Sequence, residues 1–501
     1  MAPPRSLGSS STGVAISRGR LWLVVALLVY ATATWFGVVP HGIGYSWREC
    51  DTQAIARNFL ADGFDPLRPR VDWRGDTDGA VECEFPLYQL MIASVMAAAG
   101  DVEWPGRVLS LLSMLAATVA LHRLFEVRIG APGALAGALV FLCGGHAMLL
   151  GSRVMPDALS TALALAALTA FVRYLDTGAR LSLWLSMIAL AFGALQKPTA
   201  LQIGLLMVGW AATSAPRRLR EPRLWLGLSA VAVTVAAWLL HARSLHADTG
   251  LSFGVVSGGD TKFPAVDHLV QPVLYAQLTR TTLLYGFSAF GFVALLAMAA
   301  RRRIDRSDIV LLATVAIGLL GTLRYSYHYV MGPHYHVFAA VAGAWCVARA
   351  WPANATRLAW SCLLAAVVGH GAWQLSIERH KAEVCASTLA LDLAARLRAL
   401  SSPQDLAVVR AEKPFADATW GRRNNFEDPR LLYHARRRGW VVPADGFDAA
   451  TLRDLKQRGA RWVVDVLPGR TSAETAQWLR ENGEVVVHEA SGVVHRLRTT
   501  P

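Results

Sequence analysis

Lysine is almost missing from this chain: it supplies five of the 49 basic residues, and arginine supplies the rest. Charge of either sign is scarce as well, at 17% of 501 residues, while hydrophobic residues make up 54% and mean hydropathy is +0.35. That balance excludes an ordinary soluble chain of this length. Six cysteines are too few for a disulfide scaffold, and Cys143, Cys346 and Cys362 fall in apolar runs where they read as packing residues. The last 125 residues contain no Gly-rich phosphate loop, no metal-ligand spacing and no nucleophile motif, and no internal repeat is visible anywhere. The net charge of +13 suggests nucleic acid, but its distribution argues against that partner. Residues 377–501 hold 20 basic and 16 acidic side chains, and the remaining excess sits in short links such as Arg217, Arg218, Arg220, Arg223 and Arg301, Arg302, Arg303, Arg306. Clusters of that kind between apolar segments mark the cytoplasmic side of a membrane protein.

What is present is a series of apolar segments. The first, 21–39, follows the basic tail 1–20 and lacks a small-x-small cleavage site, so it reads as an uncleaved signal anchor. Further spans are expected at 104–123, 132–150, 157–175, 182–196, 199–213, 223–241, 281–300, 309–324, 334–350 and 357–376, eleven in all. The expected architecture is an α-helical polytopic membrane protein with three parts: a cytoplasmic tail (1–20), a transmembrane domain (21–376) and an extracytoplasmic α/β domain (377–501). For the last part, strands are predicted at Leu406–Arg410, Trp440–Val442, Trp462–Val466, Val485–His488 and Val493–Leu497, with helices at 386–400, 428–438, 449–458 and 471–482.

One polar stretch interrupts the oil. Residues 40–103 contain eleven acidic residues against five arginines. By the charge rule this loop faces outward. Within it, Asp51–Asp62 has helical spacing and Gly63 at its end, and 86–99 is apolar but too short to cross. Both are expected as amphipathic helices at the membrane surface.

Four stretches, all outward by this topology, carry potential chemistry. They are Trp47-Arg48-Glu49-Cys50-Asp51-Thr52, then Glu82-Cys83-Glu84-Phe85-Pro86-Leu87-Tyr88, then Arg153-Val154-Met155-Pro156-Asp157, and a split set of Gln196-Lys197-Pro198 with Arg324-Tyr325-Ser326-Tyr327-His328-Tyr329. Carboxylates and cations gathered on one membrane face are expensive to hold there and are usually functional. Each also has a plain structural reading. Asp51 can cap its helix, Glu82 and Glu84 can be solvated loop acids, and Asp157 follows Pro156 at a helix start that favours an acid. Arg153, Lys197 and Arg324 can snorkel, and His328 and Tyr329 can belong to an interfacial aromatic belt.

Taken in order, WRECDTQAIARNF, PRVDW, ECEFPLY, SRVMPD and LQKP resemble membrane glycosyltransferases related to protein O-mannosyltransferases and lipid A aminoarabinose transferases, of the C-type fold. The resemblance covers roughly 20–376. It implies a sugar donor on a polyprenyl phosphate, used at the outer face, with an acid of the first outer loop in the active site and cations holding the phosphate. Asp51 matches the catalytic acid and Glu84 the acid before Pro-Leu-Tyr. Here Glu49 replaces an adjacent Asp-Glu pair, leaving the choice between Glu49 and Asp51 open. Phe85 stands where aminoarabinose transferases carry lysine, so the phosphate grip passes to Lys197 and to Arg324 or His328. Glu82, Arg153, Asp157 and Tyr329 complete the expected substrate contacts.

The chemistry itself asks for a base to take the acceptor hydroxyl proton and for cations on the departing phosphate. Two carboxylates would suit a divalent cation, but no ligand set is complete, so no metal site or cofactor is assigned. The acceptor is left open among glycan, lipid and protein. A flippase or polymerase of lipid-linked glycans is the alternative; a transporter calls for repeat symmetry and mid-membrane charge. The arginine bias suggests a GC-rich bacterial source, hence the cytoplasmic membrane of a bacterium, the N-terminus inside and the C-terminal domain outside. Cys50 and Cys83, both in the outward loop and each beside an acid, are expected to pair as a disulfide on that oxidising side.

Overall fold

The computed structural model describes residues 18–38, 45–257, 270–322, 333–388, 391–416 and 423–498. Helices come first in the chain: α1 (Arg18–Phe36), α2 (Trp47–Ala61), α3 (Leu87–Ala99), α4 (Trp104–Arg128), α5 (Ala131–Leu142), α6 (Gly145–Ser152), α7 (Pro156–Thr177), α8 (Arg180–Gln196), α9 (Leu201–Ser214) and α10 (Pro222–Thr249). They continue with α11 (Pro272–Leu284), α12 (Ser288–Ala300), α13 (Arg306–Thr322), α14 (Val337–Ala350) and α15 (Arg357–Thr388).

The bundle carries fewer clear spans than the apolar runs suggested. Among the described residues five helices are long and apolar enough to cross a membrane: α1, α4, α7, α10 and α15. The number rises to seven if α5 with α6 and α11 with α12 each count as one span, bent by 57° and 89°. A count of eleven is not reached, because α8, α9, α13 and α14 are only 14–17 residues long. At 1.5 Å per residue that is at most about 26 Å of helix. The second break is stitched to α15 and to α6: Gln374 Nε2 donates to Leu284 O at 3.0 Å, and His146 on α6 bonds to Tyr285 O. Carbonyls freed at the second break therefore find partners inside the bundle, which a lipid-facing break could not offer.

The two ends of the bundle differ chemically. At one end Arg20 pairs with Glu126, Arg128 with Asp176, Arg218 with Glu221, and Arg349 with Asp305 and Asp308. At the other lie the starts of α4 and α7, the end of α8, and the polar loop. Here α2 departs from the expected amphipathic surface helix. Ten of its 15 residues are buried, because it is covered on more than one side.

What covers it is the C-terminal domain, built of α16 (Leu391–Leu400), β1 (Leu406–Arg410), α17 (Arg430–Ala435), β2 (Arg438–Val442), α18 (Ala449–Gln457), β3 (Ala460–Asp465), α19 (Ala473–Asn482), β4 (Gly483–Glu489) and β5 (Gly492–Leu497). The strand order is β2-β1-β3-β5-β4, with β1 parallel to β2 and β3, and β5 antiparallel to β3 and β4. All five strands lie where residue alternation placed them. One apolar cluster joins Ile55, Phe59, Val71 and Trp73 of the loop to Leu397, Leu431, Trp462 and Val494 of this domain. Around that shared core, Arg438 pairs with Asp62 at 2.6 Å, Arg458 with Asp76 at 2.5 Å and Arg436 with Asp101. The backbone of residues 72–75 also bonds to the β2 edge, Gly75 N to Gly439 O at 2.7 Å and Gly439 N to Asp72 O at 3.1 Å.

Close packing of α12 on α14 depends on Gly343, where an added Cβ would lie 2.0 Å from Phe287 O. Gly369 on α15 has open space at the same position. Gly343→Val is expected to lower the unfolding temperature in detergent, costing on the order of 1–3 kcal/mol from overpacking. Gly369→Ala should leave it unchanged or raised; equal behaviour of the two variants would refute this packing.

Candidate active site

Helix α2 starts at Trp47 because Ser46 and Glu49 close a capping box, Glu49 Oε2 accepting from Ser46 N at 2.9 Å. The Glu49 carboxylate is then used up. It also accepts from Ser46 Oγ at 3.0 Å, from Val154 N at 3.0 Å and from the Arg153 guanidinium at 3.3 Å. Arg153 reaches Glu378 of α15 in turn, at 3.5 Å. Glu49 and Arg153 thus fasten α2 to the α6–α7 link and to α15. Glu82 is similarly committed, accepting from the backbone of Val256 and Ser257.

Asp51 stands apart from these. It keeps 8% exposure, against 1% for Glu49 and none for Glu82. Its carboxylate accepts from Trp73 Nε1 at 2.9 Å. Burial pushes its pKa up to about 8, with the Trp73 hydrogen bond and the Arg48 charge opposing the shift and Asp72 and Asp428 reinforcing it. A carboxyl poised there can take a proton near neutral pH, as a general base must.

One helical turn earlier, Arg48 lies on the same face of α2. Its guanidinium donates to Glu84 Oε2 at 2.6 Å and lies over the Phe253 ring at 4.8 Å. Glu84, just before α3, also meets Lys197 Nζ at 3.3 Å. Lys197, at the end of α8, lies 3.5 Å from Asp157 at the start of α7, and over the Tyr335 ring at 5.1 Å. Neither Asp157 oxygen accepts a hydrogen bond among the described residues, although the residue is buried. Burial alone would raise the Glu84 carboxyl, but Arg48 and Lys197 outweigh it and hold it well below the usual carboxylate range. Burial pushes His334 down to about 4, so this neighbour of Asp157 and Lys197 is neutral.

Of the residues singled out in the sequence, Asp51, Glu84, Asp157 and Lys197 therefore converge. Glu49, Arg153 and Glu82 are engaged with the chain itself, and Arg324, His328 and Tyr329 lie outside the described residues. Sequence reasoning missed Arg48 and His334 as site residues; the spacing of Arg48 three residues before Asp51 was the available signal. The disulfide is a correction: Cys50 and Cys83 are both buried free thiols. Burial raises both thiols, with Glu49 the largest charge influence on Cys50 and Glu84 on Cys83. No three His, Cys, Asp or Glu side chains converge as a metal site among the described residues.

Because Asp51 titrates near 8 in the folded chain and near 4 when unfolded, the folded state holds the extra proton between those values. Its contribution to stability is present below about pH 4 and is lost as pH rises to about 8. The unfolding temperature of wild type is expected to fall more steeply from pH 5 to pH 8 than that of Asp51→Asn. Parallel curves would show that Asp51 is already ionised at pH 5.

Residues 84–241, less than half of the chain, match the family model described as dolichyl-phosphate-mannose-protein mannosyltransferase. No curated protein matches the sequence. Among solved structures, the chain is similar to ArnT from Cupriavidus metallidurans bound to undecaprenyl phosphate, with a TM-score of 0.59 at 14% identity over 96% of this chain and 98% of that one. It is also similar to the archaeal oligosaccharyltransferase AglB from Archaeoglobus fulgidus in complex with an inhibitory peptide and a dolichol-phosphate, with a TM-score of 0.51 at 13% identity over 95% and 74%. The motif resemblance and the shared architecture agree on the fold, the C-type fold of these two structures.

Proposed function

We propose that this chain transfers a sugar from a polyprenyl-phosphate donor to an acceptor hydroxyl at the outer face of a bacterial cytoplasmic membrane. The observation that carries the reading is the pairing on one face of α2: Asp51, a buried carboxyl with a pKa near 8, lies one turn from Arg48, which shares Glu84 with Lys197. Asp51 takes the proton of the acceptor hydroxyl as that oxygen attacks the anomeric carbon. The bond from that carbon to the phosphate oxygen breaks, and polyprenyl phosphate leaves. Arg48 and Lys197 stabilise the charge gathering on the departing phosphate. Glu84 holds the two cations together against their mutual repulsion before the donor arrives. Asp157, buried without a hydrogen-bond donor, is placed to receive hydroxyls of the donor sugar.

Orientation follows the same logic. The arginine-rich links gather at the end of the bundle away from Asp51. Positive links stay inside, so the N-terminus is cytoplasmic and the reaction centre and C-terminal domain are extracytoplasmic. The structural neighbours, in their own structures, hold undecaprenyl phosphate and dolichol-phosphate, which supports a lipid-linked donor here. Charges gathered at the ends of the bundle favour an enzyme over a flippase.

Asp51→Asn preserves side-chain size while removing the base. Transfer by the purified variant from a defined lipid-linked donor is expected to fall by about 10² or more. In wild type, kcat/KM should rise tenfold per pH unit below a midpoint near 8. Full activity in Asp51→Asn would reject Asp51 as the base.

A further inference from the structure

A second polar cavity, of about 530 Å³, lies between α2, the 72–77 turn and the C-terminal domain. Five arginines line it, Arg57, Arg74, Arg436, Arg437 and Arg438, against two aspartates, Asp72 and Asp76. Pairing takes up part of this excess, since Arg57 meets Asp72 at 3.1 Å and Arg436 meets Asp101. Arg74 and Arg438 share one carboxylate, Asp62, at 2.7 and 2.6 Å. Arg437 is buried with no carboxylate in ion-pair contact among the described residues, its guanidinium donating to Ser401 Oγ at 2.7 Å and to the carbonyls of Arg398, Ser401, Ala435 and Arg436. Arg74 is buried too, and its Nε has no hydrogen-bond partner among the described residues. Guanidinium groups in such excess suit a planar or tetrahedral oxyanion.

The rest of the lining narrows the ligand. Asn58, Thr77 and Gln404 add neutral groups that donate and accept hydrogen bonds, as sugar hydroxyls require. None of the lining residues belongs to a membrane-spanning helix, which disfavours a lipid headgroup. The cavity also adjoins the reaction centre. Trp73 donates to Asp51, while Asp72 and Arg74 on either side of it line the cavity. Along α2, Asn58 is two turns from Asp51, about 10 Å.

We infer that this cavity binds a saccharide carrying an oxyanion, a phosphate or a carboxylate. Resting on the function proposed above, it is the place where the anionic part of the acceptor is held while its hydroxyl reaches Asp51.

The test is calorimetric titration of the full-length protein in detergent with a hexose phosphate, glucuronate, glucose and inorganic phosphate. Saturable binding of at least one anionic sugar is expected at low ionic strength, weakening with salt, and the tighter of the two names the substituent. The double variant Arg57→Gln, Arg438→Gln should weaken it at least tenfold. Gln404→Trp, which fills the cavity without removing an ion pair, should do the same with an unchanged unfolding temperature. Lys197→Met should bind as wild type does. The inference is overturned by no saturable binding, by binding that survives Gln404→Trp, by loss in Lys197→Met, or by inorganic phosphate binding as tightly as the hexose phosphate. Transfer plays no part in this readout. A failed titration therefore leaves the role of Asp51 standing, and a failed role for Asp51 leaves this binding standing.

Discussion

The contact on which the site depends is the carboxylate of Glu84, shared between Arg48 at 2.6 Å and Lys197 at 3.3 Å. It joins three parts of the chain, the start of α2, the turn before α3 and the end of α8. Each of these side chains is largely removed from water, so losing one member leaves an uncompensated charge rather than merely a missing bond. Breaking a buried pair in this way typically costs about 3–5 kcal/mol. The same arithmetic explains why the cluster stays assembled without a ligand. Two cations of this kind repel unless a carboxylate lies between them, and a phosphate arriving there finds both already converged.

The C-terminal domain completes this arrangement rather than hanging from the bundle. Its α17 and β-sheet share an apolar cluster with α2 and Trp73, and its arginines pair with loop acids around that cluster. Seven of the eleven acids of the polar loop thereby divide by role. Asp62, Asp76 and Asp101 hold the domain, Glu49 and Glu82 hold the loop to the bundle and to residues 256–257, and Asp51 and Glu84 belong to the proposed reaction centre. Burial under the domain is what raises Asp51, since a carboxyl on an uncovered surface helix would titrate near 4.

Much of this was legible in the sequence, and the failures have physical causes. The five strands could be read because alternation and turn residues are local signals. Asp51, Glu84, Asp157 and Lys197 could be picked out as charges on a membrane face. Arg48 was missed although its spacing before Asp51 was there to read, because its partner Glu84 is 36 residues away and only the fold brings them together. The choice between Glu49 and Asp51 was open in sequence, where both are acids at a helix start. In the structure the capping box and Arg153 occupy Glu49. The count of eleven spans is not confirmed among the described residues, because α5 with α6 and α11 with α12 are bent and α8, α9, α13 and α14 are short, which hydropathy does not register. The expected disulfide is not formed, because separation along the chain does not fix how near two thiols come in the fold.

The central claim is that Arg48 and Lys197 form the grip for the lipid phosphate. It is tested most directly by measuring the binding of a short-chain polyprenyl phosphate to purified protein, comparing wild type with Lys197→Met. The account predicts at least tenfold weaker binding, about 1.4 kcal/mol, measured below the variant's own, lowered unfolding temperature. Equal affinity in a folded Lys197→Met variant would contradict it.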